Sequence, residues 1–276
     1  MVSSVKACST GHSQGERIEM STSGHSILHR FVALLVLATM ISVTLGGSAS
    51  AEERSLSFEL GLGARVAPTY EGSDTYQTSP SFGGGLEALS LGAISIEPGD
   101  DLGFGFAPSF RVLSERTADD DKALTGIDDV DLAFELGAKV SYRWDGAEAF
   151  AALRKGVTGH DGLVMDFGAD VIMTPGTRTE LRFGPRMSWA DDAYMDTYFS
   201  VPAGATLRQY DAEGGLRSYG LEMSMRYDMS DVWAVEGTLG YDRLTGSAAD
   251  SPIVDAGSRD QGSVGIQIIR TFNLRF

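Results

Sequence analysis

Residues Val130–Trp144 read VDLAFELGAKVSYRW. Val130, Leu132, Phe134, Leu136, Ala138, Val140, Tyr142 and Trp144 fall on one side of an extended chain. Asp131, Ala133, Glu135, Gly137, Lys139, Ser141 and Arg143 fall on the other. Side chains of a strand point alternately to opposite faces, so this period of two predicts a strand with one wholly apolar face and one polar or small face. The pattern recurs from Leu56 to Val66, Leu181 to Trp189, Tyr219 to Tyr227 and Trp233 to Tyr241. No segment beyond residue 51 carries a helical period. EPGDD at Glu97, WDGA at Trp144, TPGT at Thr174 and YDMSD at Tyr227 punctuate the runs as turns.

Two architectures produce such alternation. A soluble β-sandwich hides the apolar faces between its sheets. A transmembrane antiparallel up-and-down β-barrel turns them to lipid and keeps the polar faces in its lumen. Strand length favours the barrel, because runs such as 130–144 and 162–174 exceed the roughly 5–6 residues usual in globular proteins. Aromatic placement agrees. Tyr142, Trp144, Trp189, Tyr227 and Tyr241 sit at strand ends, where an interfacial girdle belongs. Arg270 objects: it shares the phase of Phe272, Leu274 and Phe276, and an outward Arg near the bilayer midplane costs about 2–4 kcal/mol. Snorkelling or a bulge would relieve it.

The runs number about twelve: 54–67, 76–87, 89–97, 101–113, 130–144, 147–157, 162–174, 178–190, 192–200, 215–227, 230–244 and 261–276. Ten is the alternative, since 76–97 also reads as one long strand and 192–200 is short. An even number places both termini in the periplasm. Twelve strands would put the long loop from Ser114 to Asp129 on the short-turn side, which is the awkward point of that count.

The chain has 276 residues and a formal net charge of -16. That balance disfavours nucleic acid as a partner, since phosphates need Lys and Arg to neutralise them. Phe31–Gly47 is the long apolar run. It follows His29 and Arg30 and leads into small residues at Ala49 and Ala51, the pattern of a secretory signal cleaved after Ala51. Residues 1–51 are therefore expected to be the signal peptide, with Met20 as an alternative start, and residues 52–276 the barrel. The mature chain then lacks Cys8 and retains one histidine, His160.

The chemistry in the pattern is sparse. No cofactor is expected. With one histidine and no cysteine, a zinc site is not expected. Asp119, Asp120, Asp121, Asp128, Asp129 and Asp131 form an acidic loop without EF-hand spacing, read as solvated, with Ca²⁺ or Mg²⁺ held through their oxygens as the alternative. His160, in GHDG between two strands, is read as a solvated turn residue, with a catalytic base as the alternative. Glu59, Arg65, Glu135, Lys139, Arg143, Glu180, Arg182, Arg186, Glu222, Arg226 and Glu236 face the lumen, signs interleaved. In a barrel this narrow they are expected to pair and occlude the bore, because clear channels belong to about 16–18 strands. A small-solute channel is the alternative.

Three stretches carry a resemblance: GLGARVAPTYEGSD (Gly61 to Asp74), MDTYFSV (Met195 to Val201) and RLTGSAADSPIV (Arg243 to Val254). The chain resembles the MipA/OmpV family of outer-membrane proteins over its whole mature length. Pro68, Tyr70, Glu71, Gly72, Ser73 and Asp74, then Tyr198 and Phe199, then Asp250, Ser251 and Pro252 carry the match. Ser200 departs from it, standing where the family usually has Gly. The resemblance implies a Gram-negative outer-membrane barrel that is a scaffold and not an enzyme. Its implied partners are a lytic transglycosylase and a murein synthase, with lipid and lipopolysaccharide around it. It also implies that Phe272, Leu274 and the terminal Phe276 are read by the barrel-assembly machinery. A porin-like channel and a lipid- or peptide-cleaving barrel using His160 stand as the second and third readings.

Overall fold

The computed structural model describes residues 55–91, 94–96, 102–118 and 121–275. The signal segment with Ala49 and Ala51, and also Asp119, Asp120 and Phe276, lie outside the described residues. The strands are β1 (Ser55–Pro68), β2 (Tyr76–Leu91), β3 (Ile94–Ile96), β4 (Gly103–Leu113), β5 (Ala133–Trp144), β6 (Ala147–Thr158), β7 (Leu163–Met173), β8 (Thr179–Ala190), β9 (Gly215–Ser230), β10 (Trp233–Leu244) and β11 (Asp260–Arg275). They form one antiparallel sheet in the order β3-β2-β1-β11-β10-β9-β8-β7-β6-β5-β4. First and last strands meet: β1 pairs with β11 from Ser55↔Arg275 to Val66↔Val264. The sheet curls so that β2 and β4 approach each other at its two ends.

Among the described residues ten strands are long, and the three-residue β3 pairs only with the end of β2. The twelve-strand expectation is thus corrected at two places. Residues 76–91 are one strand. Residues 192–200 hold a helix, α1 (Asp192–Phe199), instead of a ninth strand. The correction removes the awkward loop. With β1 running one way and β2 returning, β4 runs parallel to β1, so residues 114–132 join the long connections 69–75, 191–214 and 245–259 at one end. The other end carries the tight turns at Asp145–Gly146, 174–178 and Asp231–Val232.

Exposure decides between sandwich and barrel. Leu62, Phe82, Phe106 and Ile266 are about 60% exposed, and Leu136, Val171, Met225 and Leu239 are also open. A sandwich would bury them, whereas a barrel presents them to acyl chains. The outward set is continuous around the wall, since Leu62, Ile268 and Val235 occupy one paired row and Val66, Val264 and Leu239 another. Aromatics ring both ends: Tyr142, Trp144, Tyr227 and Trp233 by the tight turns, Tyr76, Trp189, Tyr219 and Tyr241 by the long loops. On the inner face Gly61 and Gly83 leave room for Gln267, whose Oε1 would lie 2.6 and 2.3 Å from a Cβ at either position. Gln267 Nε2 donates instead to Ser81 Oγ at 2.6 Å.

Candidate functional site

The residues that fill the barrel fall into two parts, an ion-paired lumen and a plug built from the long loops. In the lumen, Glu135 is fully buried and accepts from Arg111 (Nε 2.9 Å, Nη2 2.8 Å) and from Arg154 Nε at 3.1 Å. Arg154 also pairs with Asp166, which accepts from Ser188 Oγ at 2.5 Å. Nearer the tight turns Glu148 lies 3.4 Å from Lys139 and 3.3 Å from Arg182. Arg143 meets Glu180 at 3.6 Å, Arg186 meets Asp170 and Glu222, and Arg226 holds Glu59 through two hydrogen bonds of 2.6 and 2.9 Å. Interleaved charge in the sequence becomes cross-strand pairing because opposite charges on one face lie within side-chain reach. Phe150 also points inward, between Lys139 Nζ (4.9 Å) and the Arg186 guanidinium (5.2 Å).

The plug closes the long-loop end. Its three helices are α1, α2 (Gly246–Ala249) and α3 (Pro252–Ala256). Asp191 starts α1 by accepting from Tyr194 N at 3.0 Å, the usual satisfaction of an unpaired first-turn donor. Ser251 and Pro252 do the same for α3, with Pro at the helix start where no N–H is needed. Tyr194, Met195, Tyr198 and Phe199 on α1 are buried with Val130, Val164, Ala190, Leu244, Ala248 and Val254. Tyr70 packs beside them with Leu124, Ile127, Val201 and Ile253. The plug thus has its own apolar core.

All three stretches that carried the resemblance meet here. Tyr70 Oη donates to Asp121 Oδ2 at 3.2 Å. Glu71 accepts from Tyr194 Oη at 3.0 Å and pairs with Arg217. Gly72 has φ +96° and lies against Val254. Its N–H donates to Gln261 Oε1 at 3.2 Å and its carbonyl accepts from Ser258 N at 2.7 Å. Ser73 is buried and accepts from Thr75 N at 3.0 Å, while Asp74 accepts from Thr75 Oγ1 at 3.4 Å. Ser251 Oγ donates to the carbonyl of Phe199 at 2.6 Å. Asp250 ends α2, its carboxylate 3.8 Å from Arg259. Pro68 ends β1. Ser200 is the helix-ending residue of α1 and not a strand residue, and its Oγ accepts from Ala212 N at 2.9 Å. Phe272 and Leu274 lie apart from the plug, on the outward row opposite Phe58 and Leu56, with Phe272 stacked on Phe58.

Burial raises three of the plug's phenols and keeps them neutral. Tyr70 is pushed up to about 12, first by burial and then by Asp121, and burial also raises Tyr194 and Tyr198. His160 corrects the expectation of a solvated turn residue. Its side chain is fully buried, edge-on to Tyr194 and Tyr198 with ring centroids 5.0 and 5.5 Å away. Nδ1 accepts from Gly162 N at 3.1 Å, which places the ring proton on Nε2. Nε2 lies 3.3 Å from Glu135 Oε1, but the approach is outside hydrogen-bond geometry. In the acidic loop Asp121 accepts from Ala123 N and Asp129 from Ala118 N. Among the described residues no group of three or more His, Cys, Asp or Glu is arranged to hold a metal.

Arg111, Glu148, Asp166 and Asp170 were not singled out in the sequence, and neither were three further arginines. Arg116 is buried and donates to the carbonyls of Tyr198 (2.8 Å), Thr197 and Asp128 (both 3.2 Å), and burial lowers its affinity for its proton. Arg154 sits in phase with Glu148 on β6, a position the alternation gives. Arg217 does not follow its strand's alternation. It shares the phase of Tyr219 and Leu221, yet Ser188 pairs with Ser218 and Trp189 with Leu216, so Arg217 is the extra residue of a bulge in β9 and turns inward.

At the opposite end a cavity of about 360 Å³ opens between the tight turns, lined by Glu59, Arg178, Arg226, Asp228, Trp233 and Thr271 among others.

The family model described as MltA-interacting protein MipA matches residues 60–272. No curated protein matches the chain. Among solved structures, an outer-membrane channel from Pseudomonas putida F1 is similar at 12% identity over 84% of this chain and all of its own, with TM-score 0.39. The translocator domain of the autotransporter NalP from Neisseria meningitidis is similar at 11% identity over 93% of this chain and 98% of its own, TM-score 0.36. Neisserial surface protein A is similar at 10% identity over 78% and 97%, TM-score 0.30.

Proposed function

Since the chain belongs to the MipA family and is a barrel of the Gram-negative outer membrane, we propose that it is a non-catalytic scaffold which holds a murein-remodelling enzyme of the MltA kind, a lytic transglycosylase, at the periplasmic face. A murein synthase would be the second enzyme of that assembly. The observation that carries this reading is occlusion. The bore is crossed by paired charges from Glu135 to Glu59 and capped by a loop plug with its own apolar core. A barrel closed this way offers surfaces rather than a path. Short turns of such barrels face the periplasm and long loops the exterior. The enzymes would therefore meet the end bearing Asp145, Thr177 and Asp231. His160 supports the non-catalytic reading, since it is packed between two tyrosine rings and no hydroxyl among the described residues hydrogen-bonds to it.

Two measurements test this. A photo-crosslinking residue placed at Asp145, Thr177 or Asp231 should capture a lytic transglycosylase in intact envelopes, and one placed at Ala118 or Thr206 on the plug should not. Purified barrel in planar bilayers should show no steady conductance. Reproducible channels would replace the scaffold with the small-solute pore. Capture of the enzyme from the plug positions alone would reverse the assigned face.

A further inference from the structure

The arginine that objected to the outward pattern faces outward in the structure. Arg270 is exposed, and pairing is continuous on its β1 side, where it stands opposite Leu60. On its other side it stands opposite Trp233, the first residue of β10. No bulge turns it inward. Its depth is set by its neighbours. Thr271 N–H donates to the carbonyl of Val232, a residue of the Asp231–Val232 turn, at 3.0 Å. Arg270 is therefore level with a tight turn, at the edge of the lipid-facing band.

Its guanidinium is held by aromatic faces and not by a carboxylate. The carbon Cζ lies 5.1 Å from the Trp233 ring and 5.0 Å from the Phe272 ring, within the range of cation–π attraction. Phe272 is backed by Phe58, stacked at 5.2 Å. Among the described residues no Asp or Glu lies within ion-pair distance of Arg270, although nearly every inward arginine has one. A guanidinium fixed between two rings keeps its N–H fork in one plane, and that fork matches the oxygens of a phosphate. At this depth the phosphates present are those of lipid headgroups in the periplasmic leaflet.

We propose that Arg270, Trp233 and Phe272 form a binding site for the phosphodiester headgroup of a phospholipid in the periplasmic leaflet. The rings sit at the acyl boundary, where aromatic side chains belong. The fork reaches the phosphate, and the apolar residues beside and above it, Leu60 opposite Arg270 and then Ile268 with Leu62, receive the chains.

The test uses Trp233 as its own reporter. The chain has three tryptophans, so W144F/W189F leaves Trp233 alone. In phosphate-free maltoside detergent, its emission is titrated with dihexanoyl phosphatidylglycerol below that lipid's micelle concentration, and separately with inorganic phosphate. The expected result is a saturable change with the lipid that R270Q weakens at least tenfold. R270K, which keeps the charge but not the planar fork, should fall between them. Mobility with and without heating verifies that each variant holds its barrel, and R270K stands in if R270Q does not fold. Equal lipid binding by parent and R270Q would overturn the proposal. So would a parent protein whose emission does not respond. A response to inorganic phosphate at the same concentrations would reduce the site to a plain anion contact and overturn the lipid assignment.

Discussion

Gly72→Ala should loosen the plug without weakening the barrel. Gly72 has φ +96°, a backbone region an L side chain adopts with strain, and a Cβ there would lie 2.7 Å from Val254 Cγ2 and 3.3 Å from Val254 Cα. Ordinary carbon contacts sit at about 3.5–4.0 Å. The dihedral strain costs about 1–3 kcal/mol and the overpacking another 1–3. The reduced freedom of the unfolded chain offsets about 0.4–1 kcal/mol. The net loss is then about 1–5 kcal/mol, which at a factor of ten per 1.4 kcal/mol is about fivefold or more in an opening equilibrium. This loss is local, because the strand ladder lies below the contact between Gly72 and Val254. Ser258 N–H, bonded to the Gly72 carbonyl at 2.7 Å, reports the event. Its hydrogen exchange should quicken about fivefold or more, while amides in the middle of β1 and β11 keep their rates. Gly176→Ala is the control, since Gly176 has φ +97° in a tight turn with nothing within 4 Å of a Cβ. It carries strain but no clash and does not touch the plug. Val254→Ala removes the clashing Cγ2, so Gly72→Ala should cost less in that background. If Ser258 exchanges within twofold of the parent rate in Gly72→Ala, the contact between the first and last resemblance stretches does not hold the plug shut.

Three further outcomes follow from the same geometry. Ser251→Ala leaves the buried Phe199 carbonyl without its 2.6 Å donor, so exchange of the α1 amides should show a loss of about 1–3 kcal/mol. Arg154→Met strands the fully buried Glu135 and Asp166 with fewer partners, so the temperature of heat-induced mobility change should fall, by the equivalent of about 3–5 kcal/mol for a broken buried pair. For Tyr70, folding raises the phenol from 10.0 to about 12. The folded plug holds the proton more tightly, so this contribution is complete below about pH 10 and is lost as pH rises through about 12. Proteinase K cleavage of the 114–132 loop should increase from pH 9 to 11.5 in the parent and increase less in Tyr70→Phe.

The strands were legible because a lipid-facing wall enforces alternation residue by residue. β6, β7 and β8 begin and end within a residue of their expected positions. The plug was not, because its elements are short and its core is assembled from separated loops. In α1 the apolar residues Tyr194, Met195, Tyr198 and Phe199 recur at helical spacing. Yet Ala193, Met195, Thr197 and Phe199 also alternate, and over eight residues the two periods cannot be told apart. Asp191 before the run was the available cue, as an acceptor that starts a helix. Val130 shows the limit from the other side. It continues the apolar phase of β5 in the sequence, but the strand begins at Ala133 and Val130 joins the plug core. His160 was misplaced for a related reason. GHDG has the composition of a wet turn, and what buries it is α1, more than thirty residues later in the chain.

Arg217 and Arg270 both stand in the apolar phase of their strands, and alternation alone assigns both to lipid. Arg217 goes inward because it is the extra residue of a bulge in β9 itself, between Leu216 opposite Trp189 and Ser218 opposite Ser188. Arg270 stays outward and is covered by rings. The difference lies in what each one meets. Arg217, near the loop end of β9, reaches Glu71, Ser188 and Tyr194, so turning inward exchanges a lipid-exposed charge for a paired one. Arg270, level with a tight turn, is close enough to headgroups that no inward turn is needed. Arg217 thereby ties the β1–β2 loop to α1, and through Ser188 and Asp166 to Arg154 and Glu135 in the lumen. The plug and the ion-paired bore are one connected network, and the three resemblance stretches, far apart in the chain, supply the parts of it that close the long-loop end.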